Sequence, residues 1–326
     1  MTPSRIAAHV AGLCLAVAAL AACNGASQPR AGAATAVPPL ARAIARQSDR
    51  AHSWIEAAAK RSDLLYVSDT VTGDAYVFSY PQGKAEGAIT GLEDPAGECV
   101  DGQGNVFVTN TGASNVLEYA HGGTSPIATL KDDGYFPVGC SVDPQTGNLA
   151  VTNFATYSSQ PGNVVIYKHA KGRPTGNYTD PSTSQYLLCG YDDKGNLFAD
   201  GLTGASAFSL VELRRGATAL TPVDLNQPIG SGGGVQWDGT NLAIGDQSTN
   251  TIYRFAMTAK KGKLAGATSL GGASAVFQFW IQGGKVLGAD SGAADVGVWK
   301  YPAGGSAVKT ITGAYVPLGV TVSKAR

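Results

Sequence analysis

From Asp63 to the C-terminus, the chain alternates short apolar segments with polar turns rich in Gly, Asn and Asp. Short runs of Val, Leu, Ile, Tyr and Phe bounded by such turns predict β-strands rather than helices. One six-residue strand, which we name the anchor strand, recurs throughout this region and in most copies closes on an Asp or an Asn. Its six copies are LLYVSD, NVFVTN, NLAVTN, NLFADG, NLAIGD and KVLGAD, ending at residues 69, 110, 153, 201, 246 and 290.

A constant order of further strands follows each anchor strand. The second strand usually ends in an aromatic residue, as in VFSY at Val77–Tyr80. A glycine-containing turn and a weaker outer strand come next, and then an apolar segment that usually ends in Asp, such as GECVD at Gly97–Asp101. Four strands in a unit of 41 to 48 residues are typical of β-propeller blades. The pattern therefore predicts six blades.

The two ends of the repeat region complement each other. The first anchor strand, at Leu64, has no apolar inner segment before it, and the last inner segment, GVTVS at Gly319–Ser323, has no anchor strand after it. We expect the C-terminal strand to complete the first blade, because this closes the ring and removes an open sheet edge. The predicted fold is all-β: a six-bladed β-propeller over residues 62–326, closed by its C-terminal strand.

Residues 1–22 have the pattern of a secretory signal peptide. Arg5 supplies the positive charge, and the apolar run over residues 6–20 is too short to span a bilayer comfortably. The run leads into LAAC, which resembles the lipobox of bacterial lipoproteins. This resemblance implies cleavage before Cys23 and attachment of acyl chains, such as palmitate, to it. We expect a lipid anchor in the bacterial cell envelope, in a membrane that the sequence does not specify; an ordinary signal cut after Ala22 is the alternative.

Residues 23–61 are expected to supply the lipid anchor, a tether and a short helix. Residues 24–41 are rich in Ala, Gly, Ser and Pro without a periodic apolar face, which is typical of a flexible tether. Residues 42–60 are predicted to form a short amphipathic helix that docks on the propeller. The apolar positions on one face of this helix are Ala45, Ala51, Ile55 and Ala58.

Charge and composition limit the expected partners. The chain has 24 Lys and Arg against 24 Asp and Glu, and charged residues make up only 15% of it. A surface with so little net charge does not attract polyanions, so nucleic acid is not an expected partner. A hydrophobic content of 44% is sufficient for an ordinary buried core, and we expect a monomer.

The repeat order resembles the six-bladed propellers of the NHL-repeat and gluconolactonase-like group, over about residues 62–326. In that group the apolar Asp-ending segment is the innermost strand of a blade, and the loops leaving the anchor strands lie on the face that usually binds ligands. The resemblance implies a binding or scaffolding module for a protein or carbohydrate ligand. The side chains expected on this face are Asp69, Asn110, Asn153, Asp200, Asp246 and Asp290, with Phe154 and Tyr157 from the longest loop.

These face residues have two interpretations. The carboxylates and amides either cap turns by accepting hydrogen bonds from nearby backbone N–H groups, or form a polar collar around the channel mouth. Phe154 and Tyr157 likewise suit stacking on a sugar or gripping a peptide, or packing against the N-terminal helix.

The alternative function is metal-dependent hydrolysis of a lactone or sugar-like ester, which the gluconolactonase-like members imply. Their divalent metal is held by a Glu of the first inner strand, which Glu98 matches, and by Asn or Asp just before the glycine of later inner strands. At the matching positions this chain has Ala96, Val138, Gly233 and Leu318, which offer no side-chain ligand. No His is placed near the channel as a general base. We therefore predict no catalytic residue, and calcium or another divalent metal only under this alternative.

Three cysteines remain besides Cys23 and the one in the signal region. Cys99, Cys140 and Cys189 all fall in inner-strand segments, and an odd number cannot pair completely. We interpret them as small buried thiols packed between blades, with a Cys140–Cys189 disulfide as the open alternative.

Overall fold

The computed structural model of the protein describes residues 52–326, in which six β-sheets surround a central axis. Each sheet is one blade, and the strands of one repeat pair antiparallel from the axis outward. The inner strand of each blade lies at the axis and the anchor strand lies second. The fold is the six-bladed propeller that the repeat pattern predicts.

The blades are numbered in chain order, and their strands run outward as follows. Blade 1 contains β27 (Pro317–Ser323), β2 (Leu64–Asp69), β3 (Asp74–Ser79), β4 (Ala85–Ile89) and β1 (Trp54–Ile55). Blade 2 contains β5 (Pro95–Val100), β6 (Val106–Asn110), β7 (Asn115–Tyr119) and β8 (Ala128–Lys131). Blade 3 contains β9 (Tyr135–Val142), β10 (Leu149–Thr156), β11 (Val164–Tyr167) and β12 (Gly176–Tyr178).

The second half of the ring has the same order. Blade 4 contains β13 (Gln185–Tyr191), β14 (Leu197–Leu202), β15 (Phe208–Leu213) and β16 (Thr221–Pro222). Blade 5 contains β18 (Gly232–Trp237), β19 (Leu242–Asp246), β20 (Thr251–Thr258) and β21 (Lys261–Gly271), with β17 (Asp224–Leu225) and β25 (Gly305–Ser306) parallel to β21. Blade 6 contains β22 (Val276–Gln282), β23 (Lys285–Asp290), β24 (Asp295–Lys300) and β26 (Lys309–Thr312).

The C-terminal strand closes the ring. β27 pairs antiparallel with β2, in a register that places Leu64 opposite Ser323 and Val67 opposite Val320. All seven residues of β27 are buried, and the strand packs between β22 of blade 6 and β5 of blade 2. This confirms the predicted closure, in which the two ends of the repeat region share one blade.

Near the start of the described residues, Trp54 and Ile55 are extended rather than helical. Trp54 and Ile55 form β1, which pairs with Ala88 and Gly87 of β4 and covers the outer edge of blade 1. A Cβ atom on Gly87 would lie 2.2 Å from the carbonyl oxygen of Trp54, so this position permits the close approach. The predicted helix is wrong here, because the open backbone edge of β4 offers hydrogen bonds to an extended partner. The rest of that prediction, the tether and Cys23 lie outside the described residues.

Helical structure is confined to short 3-10 turns within residues 52–326. They span Ala59–Arg61, Thr111–Ala113 and Lys168–Ala170. No helix in this part of the chain combines the length and apolar character needed to cross a bilayer.

Apolar side chains fill the spaces between neighbouring blades and part of the axis. Between blades 6 and 1, for example, Leu65, Leu287 and Val320 are completely buried. A separate cluster, which we name the axial plug, joins the inner strands of five blades. Its buried members are Ala96, Val138, Leu187, Leu188, Leu202, Phe277 and Leu318.

One disulfide joins Cys99 of β5 to Cys140 of β9, with the two Cα atoms 5.7 Å apart. The interpretation of Cys99 and Cys140 as thiols is therefore wrong, and so is the alternative Cys140–Cys189 pairing. Successive side chains of an inner strand point to opposite sides of the blade. Cys140 points toward the preceding blade and packs between blades 2 and 3, and Cys189 does the same between blades 3 and 4. Cys189 is a free buried thiol, as predicted, and burial raises its pKa.

Candidate functional site

The two ends of the propeller differ in the role of their aspartates. We name the end where the anchor strands finish the cap face, and the end where the inner strands finish the turn face. On the turn face, Asp101, Asp143, Asp192 and Asp238 each follow an inner strand. Their carboxylates accept N–H groups of their own turns; Asp192, for example, accepts those of Lys194 at 2.9 Å and Asn196 at 2.8 Å.

The acidic and amide residues predicted for the cap face lie inside it rather than on its surface. Asp69 accepts the N–H groups of Val71 and Thr72 through one oxygen and those of Tyr315 and Val316 through the other. Asp290 caps its loop in the same way, and so do Asn110 and Asp246. These side chains are at most 6% exposed. The geometry favours the turn-capping interpretation over an exposed collar.

Asp200 is also buried, but it lies one residue earlier in its strand than the other capping residues. It occupies the position of Ser68, Thr109 and Thr152, and Gly201 takes the closing position. One carboxylate oxygen accepts the N–H of Leu188 at 2.7 Å, and the other is buried without a hydrogen-bond partner in the part of the chain that the structure describes. Burial raises the pKa of Asp200 to about 7.

Asn153 differs from the other cap-face residues because, within residues 52–326, its side chain bonds only to other side chains. Its Nδ2 donates to Asp132 Oδ2 at 2.9 Å and to Asn163 Oδ1 at 2.7 Å. Its own Oδ1 is buried without a hydrogen-bond partner among the described residues. This residue is therefore part of a polar network between blades 2 and 3.

The two aromatic residues predicted for this face have different surroundings. Phe154 is partly buried and packs on the axial plug, so it helps to cover the channel at the cap face. Tyr157 is 45% exposed, lies edge-on to Phe136 at 4.8 Å and accepts a hydrogen bond from Ser114 Oγ at 2.5 Å. Neither packs on an N-terminal helix in the described residues.

Glu98 lies completely buried beside the axis. Both of its carboxylate oxygens lack a hydrogen-bond partner in residues 52–326, and burial raises its pKa well above the ordinary value. The backbone of Glu98 is held by Gln278 of blade 6, whose Oε1 accepts the N–H groups of Glu98 and Val320 at 3.0 Å each. Gln278 Nε2 donates to the Glu98 carbonyl at 2.7 Å. Sequence reasoning missed Gln278, because its role depends on three inner strands meeting at the axis.

The residues around Glu98 do not fit a divalent metal. Of the positions that ligate in gluconolactonase-like propellers, Ala96, Val138 and Leu318 belong to the axial plug. In residues 52–326 no group of three or more His, Cys, Asp or Glu side chains is placed to hold a metal ion. A hard cation needs several oxygen ligands, and Glu98 would supply them alone.

A cavity of about 610 Å³, which we name the basin, opens at the turn face of the channel. The Cys99–Cys140 disulfide and Gln278 are among the residues that line it. Five inner strands contribute to its wall, each through its last or next-to-last residue: Val100, Val142, Tyr191, Trp237 and Ile281. The sequence signal for this site is the aromatic residue directly before Asp192 and Asp238, namely Tyr191 and Trp237.

Hydrogen bonds hold the rim of the basin in place. Tyr301 donates its hydroxyl to Asp238 Oδ2 at 2.7 Å, and the Arg254 guanidinium lies 6.0 Å from the centre of the Tyr301 ring. Asp238 Oδ1 accepts two N–H groups of its own turn, from Thr240 and Asn241. Such a wall is suited to holding an apolar or aromatic part of a small molecule, since its aromatic faces are preorganised.

The chain is similar to known proteins in its fold. No family model and no curated protein matches the chain. A chain in the crystal structure of a nidogen/laminin complex is 15% identical with a TM-score of 0.65, and the match covers 81% of this chain and 100% of that one. A protein of unknown function from Bacteroides caccae is 10% identical with a TM-score of 0.60, covering 80% and 99% of the two chains. Hydrazine synthase from Kuenenia stuttgartiensis is 14% identical with a TM-score of 0.60, covering 77% and 83%.

These likenesses are far below the identity at which activity can be compared, so they bear on architecture alone. Two of the three matches extend over nearly the whole of the similar chain. Propellers of this architecture host unrelated functions, so the fold alone does not determine the function of this protein. By fold, this chain is a six-bladed β-propeller.

Proposed function

We propose that the protein is a lipid-anchored binding module of the bacterial cell envelope, and that its propeller holds a small ligand in the basin. The basin carries this proposal. Its volume of about 610 Å³ lies within the range of small-molecule sites, and its wall combines Tyr191 and Trp237 with aliphatic side chains. At the opposite end of the channel, Phe154 packs on the axial plug.

The chain is closer in its channel chemistry to NHL-type binding propellers than to gluconolactonase-like hydrolases. Within residues 52–326, Glu98 belongs to no group of three or more His, Cys, Asp or Glu side chains that could hold a metal ion, and its raised pKa favours the neutral acid, a poor metal ligand. His121 is bound at the blade periphery, to Ser323 Oγ at 2.7 Å and to the Ser62 carbonyl. These observations support binding as the primary role.

Two observations support a location in the cell envelope. The LAAC sequence before the tether matches a lipobox, with Cys23 as the residue to be acylated. The Cys99–Cys140 disulfide is of a kind that persists in oxidising compartments outside the cytoplasm. Under this proposal the protein associates with a membrane through the acyl chains on Cys23.

Acylation can be tested by expressing the full chain in a bacterium fed radiolabelled palmitate. We expect label in the wild type and its loss in Cys23→Ser, because that change removes the acceptor thiol. Cys189→Ser, which changes a buried thiol of the propeller, is the matched control and should retain the label. A wild-type protein that is exported but carries no label would contradict the anchor.

Binding in the basin can be tested with N-phenyl-1-naphthylamine, a neutral aromatic probe whose fluorescence rises in apolar sites. We expect saturable one-site binding, weakened about tenfold or more by Trp237→Ala through loss of a stacking surface, and likewise by Val142→Trp, which fills the cavity. Trp54→Ala, on the outer edge of blade 1, is the matched control and should bind as the wild type does. Equal binding by all four proteins, or none by the wild type, would refute the basin as the site.

A further inference from the structure

A second cavity, of about 590 Å³, lies between the outer strands of blades 2 and 3. We name it the side groove. It is separate from the basin and is lined almost entirely by polar and charged side chains and by glycine. Its polar lining includes Thr129, Lys131, Asp132, Asp133, Tyr135 and Asn163 from one part of the chain, and Arg173, Thr175 and Asn177 from the next.

Asp132 is the unusual member of this lining. It is only 4% exposed, yet it forms no ion pair with any residue of 52–326, although Lys131 and Arg173 line the same groove. Its Oδ2 accepts a hydrogen bond from Asn153, while its Oδ1 accepts none from residues 52–326. Asp132 lines the groove, so this oxygen is open to a ligand, and the low exposure of the side chain as a whole raises the pKa of Asp132 to about 6. Above that pH the groove contains a strong, unfilled hydrogen-bond acceptor.

A chain of amides connects this carboxylate to the opposite side of the groove. Asn153 donates to Asn163, and Asn163 Nδ2 donates in turn to Asn177 Oδ1 at 3.0 Å. Because Asn177 uses its oxygen in this chain, its NH₂ group is left to donate elsewhere. Asn153 and Asn163 are at most 1% exposed, so the donor and the acceptor are held by buried groups rather than by mobile surface side chains.

We propose that the side groove binds a saccharide. Adjacent hydroxyls of a sugar ring both donate and accept, so one can donate to Asp132 Oδ1 while another accepts from Asn177 Nδ2. The ring of Tyr135 supplies a surface for the apolar face of the sugar. Threonine hydroxyls and the two cations offer further polar contacts along the groove. This site extends the proposed function, because the basin and the side groove share no lining residue.

The groove fits an extended peptide less well. Peptides that add a strand use the free backbone groups of an edge strand, here β8. The carbonyl of Lys131 in β8 already accepts the Tyr167 hydroxyl at 2.8 Å. Apart from Val165 and Pro174, the lining also lacks the apolar pockets that fix peptide side chains.

Calorimetric titration of the exported protein with cellotetraose and with tetra-N-acetylchitotetraose tests the proposal above pH 7, where Asp132 is ionised. We expect at least one of them to bind, and Asp132→Asn to weaken that binding about tenfold, because an amide NH₂ replaces the acceptor oxygen. Asp224→Asn, which removes the same charge from an exposed position of blade 5 that does not line the side groove, should change the affinity less than twofold. Asn177→Ala, at an exposed position that leaves the core intact, should also weaken binding severalfold.

Three results would overturn the saccharide site. These are failure of both tetrasaccharides to bind at up to about 10 mM, equal affinities of wild type, Asp132→Asn and Asn177→Ala, or binding of an unstructured nonapeptide that Asp132→Asn abolishes while no sugar binds. Trp237→Ala separates this site from the basin, since it should leave saccharide binding unchanged. Loss of sugar binding in Trp237→Ala would assign the sugar to the basin and contradict the side groove.

Discussion

At the scale of single residues, buried polar groups connect the blades to one another. Thr109 of blade 2 donates its hydroxyl to the Val138 carbonyl of blade 3 at 3.2 Å, and Thr152 of blade 3 donates to the Leu187 carbonyl of blade 4 at 2.7 Å. Ser68 makes the same bond from blade 1 to the Ala96 carbonyl of blade 2. Each hydroxyl directly precedes the Asp or Asn that closes its anchor strand. The first member of each pair therefore joins two blades, and in the pairs Ser68–Asp69 and Thr109–Asn110 the second member caps a loop.

Glu98 is the residue whose charge state contributes most clearly to pH-dependent stability. Its pKa is raised in the folded protein, so between the ordinary pKa near 4.5 and the folded value the native state holds a proton that the unfolded chain has released. Below the unfolded pKa this group does not reduce the free energy of unfolding. Between the unfolded and the folded pKa, the free energy of unfolding falls by about 1.4 kcal/mol for each pH unit.

Glu98→Gln should remove this loss, so the variant should gain stability relative to the wild type as the pH rises from 4 to 8. Urea unfolding at a series of pH values measures the difference. Glu93→Gln changes an exposed carboxyl and should leave the wild-type pH dependence unaltered. Parallel curves for wild type and Glu98→Gln would show that the carboxyl is not held neutral.

At the scale of elements, the strands and their order could be predicted because every repeat carries the same local pattern. The anchor strand, the aromatic strand after it and the Asp-ending inner strand recur in the structure as predicted. β1 could not be predicted, since Trp54 and Ile55 have no neighbours that favour a strand; its hydrogen bonds come from the distant β4. The Cys99–Cys140 pairing likewise depends on which way side chains alternate in two inner strands, which their spacing does not reveal.

The candidate sites, like the strands, could be predicted where a local sequence pattern determines them and not where distant contacts do. The sequence correctly brings Asp69, Asn110 and Asp290 to one end of the propeller, because each closes an anchor strand. Whether such a side chain caps a loop or contacts a ligand depends on the N–H groups that the incoming loops present to it, and these loops vary in sequence. The basin was missed for a related reason: Tyr191 and Trp237 have separate local contexts and become one wall only when the ring closes.

At the scale of the whole molecule, everything depends on closure of the ring by β27. This strand completes blade 1, and its Leu318, Val320 and Val322 join the axial plug and the core between blades 6 and 1. Burial of three such side chains is worth roughly 5 to 9 kcal/mol, which is comparable to the entire stability of a typical domain. Closure also holds Gln278 and Glu98 together at the axis, since Gln278 accepts the N–H of Val320.

Thermal unfolding of a chain that lacks residues 316–326 tests this closure most directly, with a chain that lacks only 324–326 as the control. We predict that the control melts like the wild type in one cooperative transition, and that removal of β27 abolishes cooperative melting and native near-ultraviolet circular dichroism. A chain without residues 316–326 that retains the wild-type melting temperature would contradict the closed six-bladed ring.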